Sequence, residues 1–170
     1  MTSHHLPRKQ LRILHVEDSD TDAYAVERAL SKDVDCDYTL RRVQSMGEAE
    51  QVLADPAQKW DLILLDLELP DSSGRKDTYM RINAAKRDDD IPVLILTGVN
   101  DQILAVNLVD DGAEDFVRKS LICMNPETLS SSINFAICRH KNWNTLRARH
   151  EKEMVEKQQV IQWMTGGYQA

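Results

Sequence analysis

The chain has 170 residues, of which 42% are hydrophobic and 29% charged, as expected for one globular domain with about 30 to 50 further residues. Its net charge of −7 argues against nonspecific nucleic-acid binding, and no apolar run reaches the roughly 20 residues of a membrane span. We therefore expect neither nucleic-acid nor membrane partners. The N-terminus lacks a signal-peptide pattern, and the three widely spaced cysteines form no disulfide framework, so we expect a cytoplasmic protein.

Apolar segments of strand length recur along most of the chain. The predicted strands span residues 11–16, 36–43, 60–65, 93–96 and 116–117. The second of them alternates between apolar and polar residues, as a strand near a sheet edge does. The others are nearly continuous in apolar residues and are separated by helix-length segments. This pattern predicts an α/β protein with an open, doubly wound sheet of five parallel strands.

Five helices are predicted between and after these strands. Ser19 and Ser45 can cap the first two, and the third is weakly patterned. The fourth ends at Gly112, since glycine commonly terminates helices. The last begins near Asn125 and continues past Lys157, which is much longer than the sheet needs.

Polar side chains stand where four of the strands end. Glu17 and Asp18 follow the first strand, and Asp66, Thr97 and Lys119 follow the third, fourth and fifth. Right-handed crossovers bring these strand ends to one edge of the sheet. Three converging carboxylates need a cation, and all-oxygen ligation favours Mg²⁺, with Mn²⁺ as the alternative. The lysine and the hydroxyl suit a phosphoryl oxygen, so one carboxylate is a candidate phosphoryl acceptor.

The motifs around these residues resemble the receiver domain of two-component response regulators. They are residues 16–18, residues 64–71 with Gly74, residues 96–98 and residues 112–119. The resemblance covers residues 10 to 138 and implies a flavodoxin-like fold of five parallel strands and five helices. It also implies transfer of a phosphoryl group from a sensor histidine kinase or a histidine phosphotransfer protein. Such a protein catalyses its own phosphorylation and dephosphorylation without being a turnover enzyme, and it switches contacts with a downstream protein.

The resemblance assigns four residues to the acceptor and the metal site. Asp66 matches the phosphoacceptor, which also contacts the metal. Asp18 matches the acid that binds the metal directly, and Glu17 the acid that holds it through water. Glu68 matches the position whose backbone carbonyl binds the metal.

The resemblance assigns the remaining positions to phosphate binding and switching. Lys119 matches the phosphate-binding lysine, and Thr97 matches the switch hydroxyl, which also contacts the phosphoryl group. Phe116 matches the aromatic residue that turns inward when Thr97 moves. Ser120 stands where the family often has a proline in cis linkage, and a cis bond before serine costs about 2.5–4 kcal/mol.

The end of the chain is less clearly patterned. We divide the chain into an N-terminal tail (1–10), a receiver domain (11–138) and a C-terminal helical extension (139–170). Six Lys and Arg against three Asp and Glu give the extension a charge of +3, which leaves −10 for the rest. A heptad frame from Ile133 to Met164 is apolar at six of ten positions, a weak coiled-coil signal. The extension is therefore either a helix for homodimerisation and signalling or a solvated helix.

Three alternative functions remain from the sequence. One is a receiver-like interaction module that is never phosphorylated, which the intact set of site residues disfavours. Another is an unrelated flavodoxin-like enzyme, disfavoured because no glycine-rich phosphate loop follows the first strand. The third is an N-terminal receiver fragment of a larger signalling protein, which the sequence leaves open.

Overall fold

All strands of the sheet run parallel. The computed structural model describes residues 8–86, 91–98 and 113–166. The strands are β1 (Lys9–Val16), β2 (Cys36–Val43), β3 (Leu62–Asp66), β4 (Val93–Thr97) and β5 (Asp115–Arg118). Their spatial order is β2-β1-β3-β4-β5, so the doubly wound sheet is confirmed, with β2 at an edge. The second strand has the predicted bounds, and the other predicted strands differ from these by one or two residues at their ends.

Five helices lie within the described residues. They are α1 (Asp20–Leu30), α2 (Met46–Ala54), α3 (Arg75–Ala85), α4 (Lys119–Met124) and α5 (Glu127–Gly166). Ser19 and Ser45 cap α1 and α2 as predicted, each accepting a hydrogen bond from the backbone N–H three residues later. The short α4 was not predicted, because six residues are too few for a helical repeat to show. The predicted helix that ends at Gly112 lies outside the described residues.

The central strands β3 and β4 are buried on both faces, which explains their continuous apolar sequences. Side chains on one face pack with α2 and α3, and those on the other face pack with α1, α4 and α5. Leu14 and Leu65 belong to the first cluster, whereas Ile13 and Leu64 belong to the second. This two-sided packing fixes the carboxyl ends of β1 and β3 beside each other.

Helix α5 is buried in its first part and exposed afterwards. Ile133, Ala136 and Ile137 pack on the sheet, and His140 is the last buried residue between Glu127 and Trp163. From Trp143 to Trp163 the large apolar side chains are exposed, although the helix continues without a break to Gly166. The predicted helix past Lys157 is thus confirmed. Among the helices that the structure describes, none is long and apolar enough to span a bilayer.

Candidate functional site

Three carboxylates meet at the carboxyl edge of the sheet. Val16, the last residue of β1, pairs with Leu65 of β3, so the acids that follow these two positions are neighbours. One oxygen from each of Glu17, Asp18 and Asp66 lies within 4.8 Å of the others. Glu17 and Asp66 are buried, whereas Asp18 is exposed. Because all three offer hard oxygen ligands and one of them faces solvent, the set fits a divalent cation that keeps some of its water.

Lys119 reaches this cluster from the end of β5, the edge strand opposite β2. It is the first residue of α4, directly after β5, and its Nζ lies 2.8 Å from Glu17 Oε2 and 3.1 Å from Asp66 Oδ2. A third contact, 2.7 Å long, reaches Asp22 Oδ2 on α1. Desolvation alone would lower the pKa of Lys119, but its hydrogen bonds to Asp22 and Glu17 and the charge of Asp66 outweigh it and raise that pKa. Lys119 is therefore a fixed cation at neutral pH.

The sequence analysis missed Asp22. The feature that could have pointed to it is its position in the first turn of α1, four residues after Asp18. An acid at this third helical position usually reads as a helix-stabilising residue, because it offsets the helix dipole. Only the fold brings Lys119, far away in the sequence, within reach of its carboxylate.

Burial changes the acidity of the two inner carboxylates. Desolvation raises the pKa of Glu17 to about 7, the contact with Lys119 opposes this rise, and the charge of Asp66 adds to it. Desolvation also raises the pKa of Asp66, again against the effect of Lys119. Two desolvated carboxylates that repel each other are stabilised by any cation that enters between them. The electrostatics of the site therefore favour binding of a divalent metal.

The loop between β1 and α1 is fixed by Arg42 on β2. Its Nε donates to the carbonyl of Glu17 and its Nη2 to the carbonyl of Asp18, both at 2.8 Å. Its Nη1 also pairs with Asp20 at 2.6 Å. Within the loop, the N–H of Ser19 donates to Glu17 Oε1 at 3.1 Å. Arg42 is a second residue that the sequence analysis missed, because it lies on a neighbouring strand 25 residues away from Glu17.

The loop between β3 and α3 borders the site on its open side. Asp18 and Glu68 line the same open cleft, and the Glu68 side chain forms an ion pair with Arg75 at the start of α3. Asp71 in this loop accepts hydrogen bonds from the backbone N–H groups of Met46 and Gly47, at 2.8 and 2.9 Å, and so ties the loop to α2. The loop ends at Gly74, whose φ of +144° is a conformation that favours glycine.

Thr97 and Phe116 lie on the adjacent strands. Thr97 ends β4, next to the β4 residue that pairs with Asp66. Its hydroxyl is buried, and among the described residues it has no hydrogen-bond partner. Phe116 on β5 is half-buried and packs against the core on the α2 and α3 face. The described peptide bonds are all trans, including the one between Lys119 and Ser120.

Comparison with known proteins agrees with the geometry. The family model described as the response regulator receiver domain matches residues 13–134. The cell cycle transcriptional regulator CtrA of Caulobacter vibrioides is 34% identical over 109 residues, which are 64% of this chain and 44% of CtrA. The two-component response regulator-like protein APRR3 of Arabidopsis thaliana is 28% identical over 117 residues, 69% of this chain and 23% of APRR3. The chain thus spans less than half the length of these relatives.

A solved structure shows the same fold. The signal receiver domain of a putative LuxO repressor protein from Vibrio parahaemolyticus superposes with a TM-score of 0.62 at 31% identity. The match covers 81% of this chain and 97% of that one. Strand order, motifs and family model agree, and the receiver resemblance predicted from the sequence is confirmed. The chain belongs to the response regulator receiver domain family.

Proposed function

We propose that Asp66 accepts a phosphoryl group from the phosphohistidine of a sensor histidine kinase or a histidine phosphotransfer protein. The observation that carries this proposal is the position of Asp66, buried at the end of β3 with Lys119 at 3.1 Å and two further carboxylates beside it. A buried carboxylate that lies beside a fixed cation and beside acids able to bind a metal ion is suited to be the nucleophile in phosphoryl transfer. Membership of the receiver family supports the same chemistry.

Each group of the site then has a separate part in the reaction. A carboxylate oxygen of Asp66 forms a bond to phosphorus, while the bond from phosphorus to the histidine nitrogen breaks and its electron pair returns to the imidazole. The Lys119 ammonium binds a phosphoryl oxygen and balances part of its charge. Glu17, Asp18, Asp66 and the Glu68 carbonyl would hold Mg²⁺, or Mn²⁺ in its place. The bound cation supplies positive charge that stabilises the transferring group.

We assign the conformational response to Thr97 and Phe116. The buried Thr97 hydroxyl, which lacks a partner among the described residues, donates to a phosphoryl oxygen when Asp66 is modified. Phe116 rotates into the space that Thr97 leaves. The result is a shift between two populations that differ around β5. If Thr97→Ala left the partner binding and self-association of the phosphorylated protein unchanged, this route would be excluded.

We further propose the division into an N-terminal tail (1–10), a receiver domain (11–138) and a helical extension (139–170) that transmits the output. Two side-chain contacts connect the start of β5 to α5 where the helix leaves the sheet. Asp115 forms an ion pair with Arg139 at 2.8 Å, and the carboxylate of Glu114 contacts the imidazole of His140. Because these acids directly precede Phe116, a shift of β5 reaches the base of the extension.

The partner that we assign to the extension is a second copy of this chain. The large apolar residues that the described part of the extension exposes are Trp143, Leu146, Met154, Val155, Val160, Ile161 and Trp163. The first, third and sixth of these fall on the heptad frame predicted from the sequence. A downstream protein that reads the same helix is the alternative occupant.

The test of the acceptor is intact-mass analysis after incubation with acetyl phosphate and Mg²⁺. We expect the wild-type chain to gain the mass of one phosphoryl group and Asp66→Asn to gain none. Asp71→Asn is the matched control, because it changes an acid of the next loop that contacts α2. A phosphoryl adduct on Asp66→Asn would refute the assignment, and no adduct on the wild-type chain would favour the unphosphorylated interaction module.

The test of the extension is the molar mass in solution with and without beryllofluoride, a phosphoryl mimic. We expect beryllofluoride to increase dimerisation of the wild-type chain, and Met154→Lys to abolish the increase. Gln159→Lys is the control, since it adds the same charge on the opposite side of the helix. Equal behaviour of the two variants would argue against a dimer formed through this face.

A further inference from the structure

Lys119 has more acidic partners than the proposed chemistry uses. Its ammonium group has three N–H donors, and three carboxylates surround it at 2.7 to 3.1 Å. Two of them, Glu17 and Asp66, belong to the carboxylate cluster of the metal site. The third, Asp22, does not belong to that cluster, although its contact is the shortest of the three.

The position of Asp22 is set by the start of α1. Its backbone N–H is bound by the hydroxyl of the capping residue Ser19 at 3.3 Å, so the carboxylate leaves the helix at a fixed point. From there Oδ2 accepts a hydrogen bond from Lys119, which lies 97 residues later in the sequence. The side chain of Asp22 is 38% exposed, whereas that of Lys119 is 20% exposed. The contact is thus at the rim of the site, where solvent only partly screens it.

We propose that Asp22 is a positioning residue that holds the Lys119 ammonium on the α1 side and competes with the phosphoryl group for it. A phosphoryl oxygen on Asp66 needs a donor from Lys119, but three carboxylates already lie within 3.1 Å of the ammonium, and Asp22 accepts a hydrogen bond from it. A metal ion offsets the charges of Glu17 and Asp66, whereas it leaves Asp22 as a carboxylate that still attracts the ammonium. Asp22 therefore limits the stability of the phosphorylated form. This inference rests on the proposed function of Asp66 and Lys119.

The affinity for beryllofluoride at saturating Mg²⁺ tests the competition directly. We expect Asp22→Asn to bind beryllofluoride roughly fivefold more tightly than the wild-type chain, because it removes one negative charge and weakens a competing acceptor. Glu27→Gln is the matched control. It removes the same charge from α1, but Glu27 lies exposed in a later turn of the helix, so we expect its affinity to stay within twofold.

Two further readouts separate positioning from a general effect on structure. In ¹⁵N NMR of the ammonium groups, the Lys119 signal should shift in Asp22→Asn and remain unchanged in Glu27→Gln. Asp22→Glu, which restores the charge, should return the affinity toward the wild-type value.

The outcomes distinguish this inference from the function on which it rests. If the wild-type chain binds beryllofluoride and Asp22→Asn binds it no more tightly than Glu27→Gln does, the competition is refuted and the proposed function stands. If the wild-type chain does not bind beryllofluoride at saturating Mg²⁺, the proposed function fails, and this inference fails with it.

Discussion

The carboxyl edge of the sheet and the far half of α5 place their side chains in opposite ways. At the edge, charged groups are buried, with Glu17 and Asp66 almost inaccessible to solvent. Along the extension, large apolar groups are exposed, and Trp163 is 83% accessible. Each arrangement is unfavourable by itself, since buried charge loses hydration and exposed apolar area remains in contact with water.

The difference shows where each region finds its stabilising partners. The charge of the edge is partly balanced within the chain, because Lys119 reaches Glu17 and Asp66 from an element distant in the sequence. The extension exposes large apolar side chains such as Trp163, and its side-chain pairs include Arg147 with Glu151. The edge therefore fits the small charged ligand that we propose for it, whereas the exposed apolar side chains of the extension fit the second chain that we propose as its partner.

The largest expected effect is on the free energy of unfolding, and it is measured by comparing two leucines. Leu64 is fully buried in β3, whereas Leu146 on the extension is 50% exposed. Leu64→Ala should lower the free energy of unfolding by about 3 kcal/mol, because it leaves a cavity in a packed core. Leu146→Ala should change it by less than about 0.5 kcal/mol. Urea unfolding of both variants at low protein concentration measures the difference, and a large cost for Leu146→Ala would mean that the extension is packed.

The second effect concerns the cation of the edge. Lys119→Met should lower the free energy of unfolding by about 2 kcal/mol without metal, because buried carboxylates lose their ion pair. Mg²⁺ should stabilise this variant more than the wild-type chain, since it replaces the missing charge. Lys152→Met on the extension is the control, because its lysine is exposed and only loosely paired. Equal stabilisation of Lys119→Met and wild type by Mg²⁺ would contradict this account of the edge.

The third effect is the pH dependence of Asp71. Desolvation alone would raise the pKa of Asp71, but the N–H groups of Gly47 and Met46 outweigh it and lower that pKa below 3.8. A carboxylate with a lowered pKa in the folded state stabilises it above the unfolded pKa, and this contribution is lost as the pH falls. Asp71→Asn should therefore lower the free energy of unfolding by roughly 0.5 kcal/mol at pH 7, because it removes a negative charge from the N-terminus of α2.

The difference between wild type and Asp71→Asn should shrink as the pH falls below about 4 and the carboxylate becomes neutral. Urea unfolding at pH 7 and at pH 3 measures it. A difference that is the same at both values would mean that the carboxylate charge has no part in tying this loop to α2.

The smallest effect is expected on the extension itself. Arg147 and Glu151 form an exposed pair one helical turn apart, with Nε and Oε1 separated by 3.3 Å. Glu151→Gln should change the free energy of unfolding by less than about 0.5 kcal/mol, since such pairs are well screened. A loss of helical circular dichroism larger than that of one turn would show that the extension depends on this pair.

The sequence determined the parts of this protein that depend on neighbouring residues. Hydrophobic patterning predicted the strands and the long final helix, because strand and helix periods are local properties of a chain. The serine caps were predicted for the same reason. The acids, the hydroxyl and the lysine at the strand ends also followed, since a parallel sheet brings its carboxyl ends to one edge.

Only the tertiary structure decided which side chains support that edge. Asp22 binds Lys119, which is 97 residues away in the sequence. Arg42 donates to the carbonyl of Glu17, 25 residues away, and Asp71 accepts from the N–H of Met46 in α2, also 25 residues away. None of these contacts leaves a periodic pattern, because each joins residues on different elements whose spacing depends on the whole packed fold. The order of residues along the chain therefore fixes which groups meet at the edge, and the packing of the sheet against its helices fixes what holds them in place.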